Sequence, residues 1–131
     1  MRGLRLLLDT HALVWWLAGD PRLSPAARSA IEDEANEVLV SAASAWEVAT
    51  KHRLGKLAGA GPLAVDFARE VEAQGFVALP ISIEYGQVAG ELAGEHGDPF
   101  DRMLVAQARE EKLALVSLDA VFDAYGVTRI W

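Results

Sequence analysis

The sequence predicts an α/β fold built on a mostly parallel sheet. Two observations carry that reading. Short apolar, strand-like runs alternate with longer helix-like segments along the whole chain. The boundaries between them carry helix start and stop signals: Ser24-Pro25 and Asp98-Pro99 open helices, and Gly55 and Gly75 close them.

Taken in order, strands are expected near Leu4–Leu8, Glu37–Val40, Phe76–Leu79, Ala114–Ser117 and Val127–Ile130. The first helix begins just after Asp9 and stops near Gly19-Asp20-Pro21. The second opens at Ser24, an N-cap, with Pro25 at the first helical position. The third covers roughly Ala43–Arg53. The fourth is expected as one helix from about Leu63 to Gln74, and the fifth over roughly Ile83–Ala93. The sixth begins at Asp98-Pro99, and a short seventh follows Asp119. Ala58-Gly59-Ala60-Gly61-Pro62 reads as a flexible loop within one domain spanning residues 1–131, without internal repeats or low-complexity tracts.

Composition narrows the function classes. Of 131 residues, 52% are hydrophobic and 24% charged, the balance of an ordinary globular domain with a real core. There is no cysteine, which excludes disulfides and thiolate metal sites. No apolar run approaches the ~20 residues that span a bilayer, and nothing at the start resembles a signal peptide. A soluble, cytoplasmic protein is expected. The net charge of −7 argues against a broad basic face that grips nucleic acid. It leaves room for a nuclease whose metal ions offset part of that charge, and for a basic protein partner.

Four acids stand where this fold could gather them. Asp9 ends the apolar run Leu6-Leu7-Leu8, and Asp119 follows Ala114-Leu115-Val116-Ser117-Leu118. Ligands of open α/β sheets bind beyond the carboxyl ends of the strands, the edge on which both acids fall. Glu47 lies early in a small, apolar helix, and Asp101 sits at the third position of the sixth helix. Like charges a few Å apart raise one another's pKa unless a cation neutralises them, and hard oxygen ligands suit Mg²⁺ or Mn²⁺. Metal-dependent phosphoryl chemistry is the sharp expectation. The plain alternative is that each acid is a cap or a surface charge: Asp9 or Thr10 capping the first helix, Asp98 and Asp101 forming a capping pair, Asp119 capping the short helix.

Neighbouring residues have secondary parts in this scheme. Thr10 is placed to hydrogen-bond a ligating carboxylate, Ser117 to orient a water, and Asp98 to cap the sixth helix. Lys51, His52, Arg53 and Lys56 form the one dense basic patch; it is either a solvated helix end or, through Lys51, Arg53 and Lys56, a grip on RNA phosphates. Arg102 pairs with an acid or a substrate phosphate. His96 reads as a loop histidine and Trp46 as core. Trp15 and Trp16 lie about 100° apart on a helix, so one of them is expected to miss the core. Gly86, Gly90 and Gly94 recur every fourth residue, suggesting close packing of the fifth helix.

With these residues in place, nearly the whole chain resembles the PIN-domain ribonucleases, and within them the VapC-type toxins of toxin–antitoxin pairs. The resemblance rests on Leu7-Leu8-Asp9-Thr10-His11, Ser41-Ala42-Ala43-Ser44-Ala45-Trp46-Glu47, the stretch from His96 to Ala108 with its Asp98-Pro99-Phe100-Asp101-Arg102 core, and Val116-Ser117-Leu118-Asp119. Relatives often carry Thr where this chain has Ser117. It implies a three-layer fold with about five parallel strands in order 3-2-1-4-5 and helices on both faces. It further implies Asp9, Glu47, Asp101 and Asp119 around one or two Mg²⁺ or Mn²⁺ ions, an RNA substrate, a cognate antitoxin and a homodimer. Two other readings compete. One is a phosphatase with Asp9 as nucleophile, although such enzymes typically carry a second Asp where this chain has His11. The other is an inactive PIN-like scaffold that only binds protein.

Overall fold

Leu6, Leu7 and Leu8 are all fully buried, which a strand achieves only when both faces of its sheet are covered. They belong to β1 (Arg5–Leu8), the central strand of the computed structural model, which describes residues 3–94 and 97–131. The chain continues through α1 (Thr10–Ala18), α2 (Pro25–Glu32), β2 (Glu37–Ser41) and α3 (Ala42–Arg53). Next come α4 (Gly61–Val65), α5 (Phe67–Ala73), β3 (Val77–Leu79), α6 (Ile83–Glu91) and α7 (Pro99–Glu111). It ends with β4 (Ala114–Val116), a 3-10 helix over Ala120–Tyr125, and β5 (Arg129–Ile130). All strand pairs are parallel, and the order across the sheet is β3-β2-β1-β4-β5, as the resemblance implies.

Alternation along the strands divides the core in two. Leu6, Leu8, Val38, Val40 and Val116 pack with Leu13 and Val14 of α1, Ile31 of α2, Val48 of α3 and Val71 of α5. Leu7, Leu39 and Leu115 face the other way, onto Leu104, Val105 and Ala108 of α7 and onto Phe122. Burying each of these aliphatic side chains contributes roughly 1.5–3 kcal/mol. The register sets Leu8 of β1 beside Val40 of β2 and Val116 of β4. The three strands therefore end level, and Asp9, Ser41 and Ser117 emerge side by side at their carboxyl ends.

Three expectations are corrected. The single helix from Leu63 to Gln74 is two helices, broken at Asp66, whose backbone sits at φ −152° and ψ 86°. The Asp66 carboxylate accepts a hydrogen bond from the Arg69 amide at 3.2 Å, so a local side-chain bond replaces helix continuation. Trp46 is not core: it is 62% exposed and meets Phe100 edge-on at 4.8 Å. The glycines at 86 and 90 do not serve close packing among the described residues, since a Cβ at either would meet nothing within 4 Å. Gly94 lies beyond α6 at φ +111°, where a Cβ would stand 3.0 Å from the Tyr125 hydroxyl. Of the tryptophan pair, Trp15 is buried and Trp16 half-buried, its Nε1 donating to Gln74 Oε1 at 3.0 Å. His96 lies outside the described residues.

Candidate active site

A cleft of about 540 Å³ opens at the carboxyl edge of the central strands. Asp9, Glu47, Asp98, Asp101 and Asp119 all line it, together with Lys51, His11 and Trp15. The four acids expected to share a site thus face one space. They come from four separate stretches of sequence.

Asp9 is one of two buried acids in the cleft. It is 9% exposed and N-caps α1, accepting from the Ala12 amide at 2.8 Å. Burial pushes its carboxyl up to about 6. The Ser117 hydroxyl and the Ala12 amide pull the other way, while the charges of Glu47 and Asp119 add to the rise. Ser117, fully buried, also accepts from the Asp119 amide at 3.0 Å. It therefore ties the first and last acids together rather than facing open solvent.

Glu47 is 5% exposed, and both of its oxygens are engaged. Oε1 accepts from Thr10 Oγ1 at 2.5 Å, and Oε2 forms an ion pair with Lys51 one helical turn on. Ser44 Oγ lies 3.1 Å from the same Thr10 hydroxyl. Burial works against the Lys51 charge, but the bond to Glu47 and the charges of Glu47, Asp98 and Asp101 outweigh it and hold the ammonium above its ordinary pKa.

The remaining acids sit on helix entries. Asp98 caps α7, accepting from the amides of Phe100 at 2.9 Å and Asp101 at 3.2 Å. Asp101 lies in the first turn of α7 and is half-buried. Asp119 is exposed and caps the 3-10 helix through the Val121 amide at 3.0 Å. Capping and lining the cleft prove compatible, because both need an acid at the start of a helix on the same sheet edge.

Of the expected RNA-binding cations, Arg53 and Lys56 are exposed at the end of α3 and beyond it. The Arg102 guanidinium donates to the carbonyl of Ala89 at 3.1 Å and to that of Leu92, which ties α7 to the end of α6. Sequence reading missed Ser44 as a partner of Thr10 and Lys51 as the partner of Glu47. The spacing of three and four residues around Glu47 was the available signal.

The donor set is entirely hard oxygen, and the buried Asp9 carboxyl is held up by burial and by neighbouring charges that a cation would offset. Its chemistry fits Mg²⁺ or Mn²⁺. The convergence is incomplete, however. Among the described residues no three carboxylate or histidine side chains come close enough to ligate one ion, and Glu47 is turned toward Lys51.

A PIN-domain family model matches residues 6–127. The chain is also 35% identical over 114 residues to Ribonuclease VapC22 of Mycobacterium tuberculosis, a match covering 87% of this chain and 86% of the relative. The chain belongs to the PIN-domain family, and that membership sets aside the aspartyl-phosphatase alternative. Solved structures agree on the fold. VapBC2 from Rickettsia felis, bound to a DNA fragment from its promoter, superposes with a TM-score of 0.68 at 14% identity, over 96% of this chain and 97% of that one. Mycobacterium tuberculosis VapC20, described as a Sarcin-Ricin loop cleaving toxin, gives 0.67 at 18% identity, over 94% and 96% respectively.

Proposed function

We propose that the chain is a single-domain, Mg²⁺- or Mn²⁺-dependent endoribonuclease, the toxin of a toxin–antitoxin pair. The observation that carries this is the gathering of Asp9, Glu47, Asp101 and Asp119 on one cleft of a PIN-domain chain. The kinship with a protein named as a VapC ribonuclease supports RNA as the substrate. The likeness to a VapBC complex supports an antitoxin as the protein partner. No helix among the described residues is long and apolar enough to cross a membrane; the enzyme is proposed to work in the cytoplasm, as a homodimer.

Asp9, Asp101 and Asp119 would hold the ion, directly or through water, with Glu47 as a further ligand or as the group that orients the attacking water. When bound, the ion supplies Lewis acidity, lowering the pKa of water and offsetting charge at phosphorus. The chain's own residues prepare that step. Ser117 and the Ala12 amide fix the Asp9 carboxylate, Thr10 fixes Glu47, and Arg53 and Lys56, exposed at and beyond the end of α3, would meet backbone phosphates. Water adds its oxygen to phosphorus in line with the departing 3′-oxygen, which takes up a proton. The products carry a 5′-phosphate and a 3′-hydroxyl. The 2′-hydroxyl has no part in the reaction, so discrimination against DNA must come from substrate shape.

The test is digestion of a total RNA pool, with and without Mn²⁺, by the wild type and by Asp101→Asn, followed by end sequencing. Discrete, metal-dependent cuts with 5′-phosphate ends, lost in the variant, are expected. Metal-independent cuts, or cuts retained by Asp101→Asn, would overturn the reading.

A further inference from the structure

We propose that the exposed Trp46 ring, held by Phe100, is a platform for one base of a single-stranded RNA, set beside the acidic cleft and separate from its carboxylates. This deepens the ribonuclease reading above and rests on it.

Trp46 and Phe100 each stand one residue before a cleft acid: Trp46 before Glu47 on α3, Phe100 before Asp101 on α7. Neighbours on a helix point about 100° apart, so the acids turn into the cleft and the rings turn away from it. The rings line a second hollow, an apolar slot of about 220 Å³, with Ile81, Ala89 and Met103. The first turn of α7 is divided between the two: Asp98 and Asp101 line the cleft, Pro99 and Phe100 the slot. Cleft and slot are thus two sides of one ridge. The rings meet at 4.8 Å and 77°. This edge-to-face contact fixes the indole while leaving it 62% exposed.

Charge selects the occupant. Five carboxylates line the cleft, and Lys51 is already paired with Glu47. The chain as a whole carries −7. A strand drawn into the cleft finds little attraction for its phosphates until a cation is bound, so part of its hold must come from its bases. The slot suits a base. Among the described residues no acid lines it, and its one charged lining residue is Arg102. At about 220 Å³ it falls below the roughly 300–1,000 Å³ that encloses a whole small ligand, so it is sized for one ring system and not for a folded segment. Stacking one base on an aromatic side chain raises affinity roughly tenfold, and every base has a π-face to offer. Trp46 would touch the substrate; Phe100 is a positioning residue that acts through it.

Removing bases one at a time from a short, labelled single-stranded RNA of mixed sequence tests this. Affinity would be read by fluorescence anisotropy in Mn²⁺, on an Asp101→Asn parent that keeps the strand whole. Circular dichroism and sedimentation would check fold and oligomeric size. Trp46→Ala and Trp46→Leu are expected to raise Kd about tenfold, and Trp46→Tyr no more than about twofold. Loss of the base at one position should weaken the parent about tenfold and the two non-aromatic variants no further, a coupling that a merely structural ring would not produce. An equal Kd in the parent and both variants, or the same base-by-base profile in all, would overturn the platform; cleavage of RNA by the wild type would then leave the ribonuclease reading standing. A fall in oligomeric size with an unchanged profile would assign the ring to a second copy of the chain and also overturn it. RNA left uncut by the wild type and unbound by every folded form would overturn both.

Discussion

Thr10 and Glu47, 37 residues apart in sequence, are joined by a 2.5 Å hydrogen bond that crosses from the start of α1 to the middle of α3. The bond locks the two helices that follow neighbouring strands to one another at the cleft. Thr10→Val keeps the shape but strips the hydroxyl, leaving one oxygen of a buried carboxylate without its donor. The expected cost is about 1–3 kcal/mol in thermal unfolding, together with slower RNA cleavage. Thr10→Ser should recover both. If Thr10→Val matched the wild type in stability and rate, the hydroxyl would have no part in holding Glu47.

The Asp9 carboxyl makes stability depend on pH with a definite sign. Its ordinary value is 3.8 and the folded protein raises it to about 6. Between those values the folded state keeps a proton that the unfolded chain has lost. The metal-free protein therefore loses stability as pH rises across this window, and the penalty is complete above about 6. A rise from 3.8 to about 6 corresponds to about 3 kcal/mol. Asn caps a helix as well as Asp does, so Asp9→Asn removes the titration and keeps the cap. Metal-free Asp9→Asn should melt higher than wild type at pH 7, with the gap closing toward pH 4. A gap independent of pH would show that Asp9 is not held near 6.

Metal should act on that same penalty. Adding Mn²⁺ at about 100 times its dissociation constant is expected to stabilise wild type by about 2.7 kcal/mol, and Asp9→Asn by little. Loading should weaken below about pH 6, where Asp9 takes a proton in the metal's place. Melting curves with Mn²⁺ and with a chelator, from pH 5 to 8, check both statements. An equal metal-induced shift in the two proteins would place the ion elsewhere.

Trp46 provides a contrast within one residue type. As a buried tryptophan it would cost about 3–5 kcal/mol on truncation to Ala. At 62% exposure, with its ring touching Phe100, Trp46→Ala should cost no more than about 1.5 kcal/mol. Leu7→Ala, in the centre of the sheet, should cost about 2–5 kcal/mol. Equilibrium denaturation of the two variants separates these values.

The legible parts of the fold were those in which local chemistry and burial agree. The run Leu6-Leu7-Leu8 reads as a strand and the structure has one there, and Ser24-Pro25 and Asp98-Pro99 mark helix starts where the structure has them. Asp66 was not legible as a break, because an acid inside an apolar helical pattern looks like a surface position until its side chain bonds to the Arg69 amide. Trp46 misled because large aromatic residues usually find the core, and the hydrophobic pattern of α3 does not say which face meets the sheet. In the site, the acids were visible as residue types at strand ends. What the sequence hid was where each would point: Glu47 toward Lys51, and Arg102 toward two backbone carbonyls.

Asp9, Asp98 and Asp119 each close the first turn of a helix. The same carboxylates that gather on the cleft are fasteners of the backbone, each accepting from an amide near the start of its helix. On the metal-dependent function proposed above, folding and arming are separate events in the life of this chain. It would then leave the ribosome complete in shape and inert in chemistry, and become active only when divalent ion reaches it. A zinc-finger-like domain falls apart when stripped of its metal; here chelation should act as a safety catch that leaves the weapon assembled.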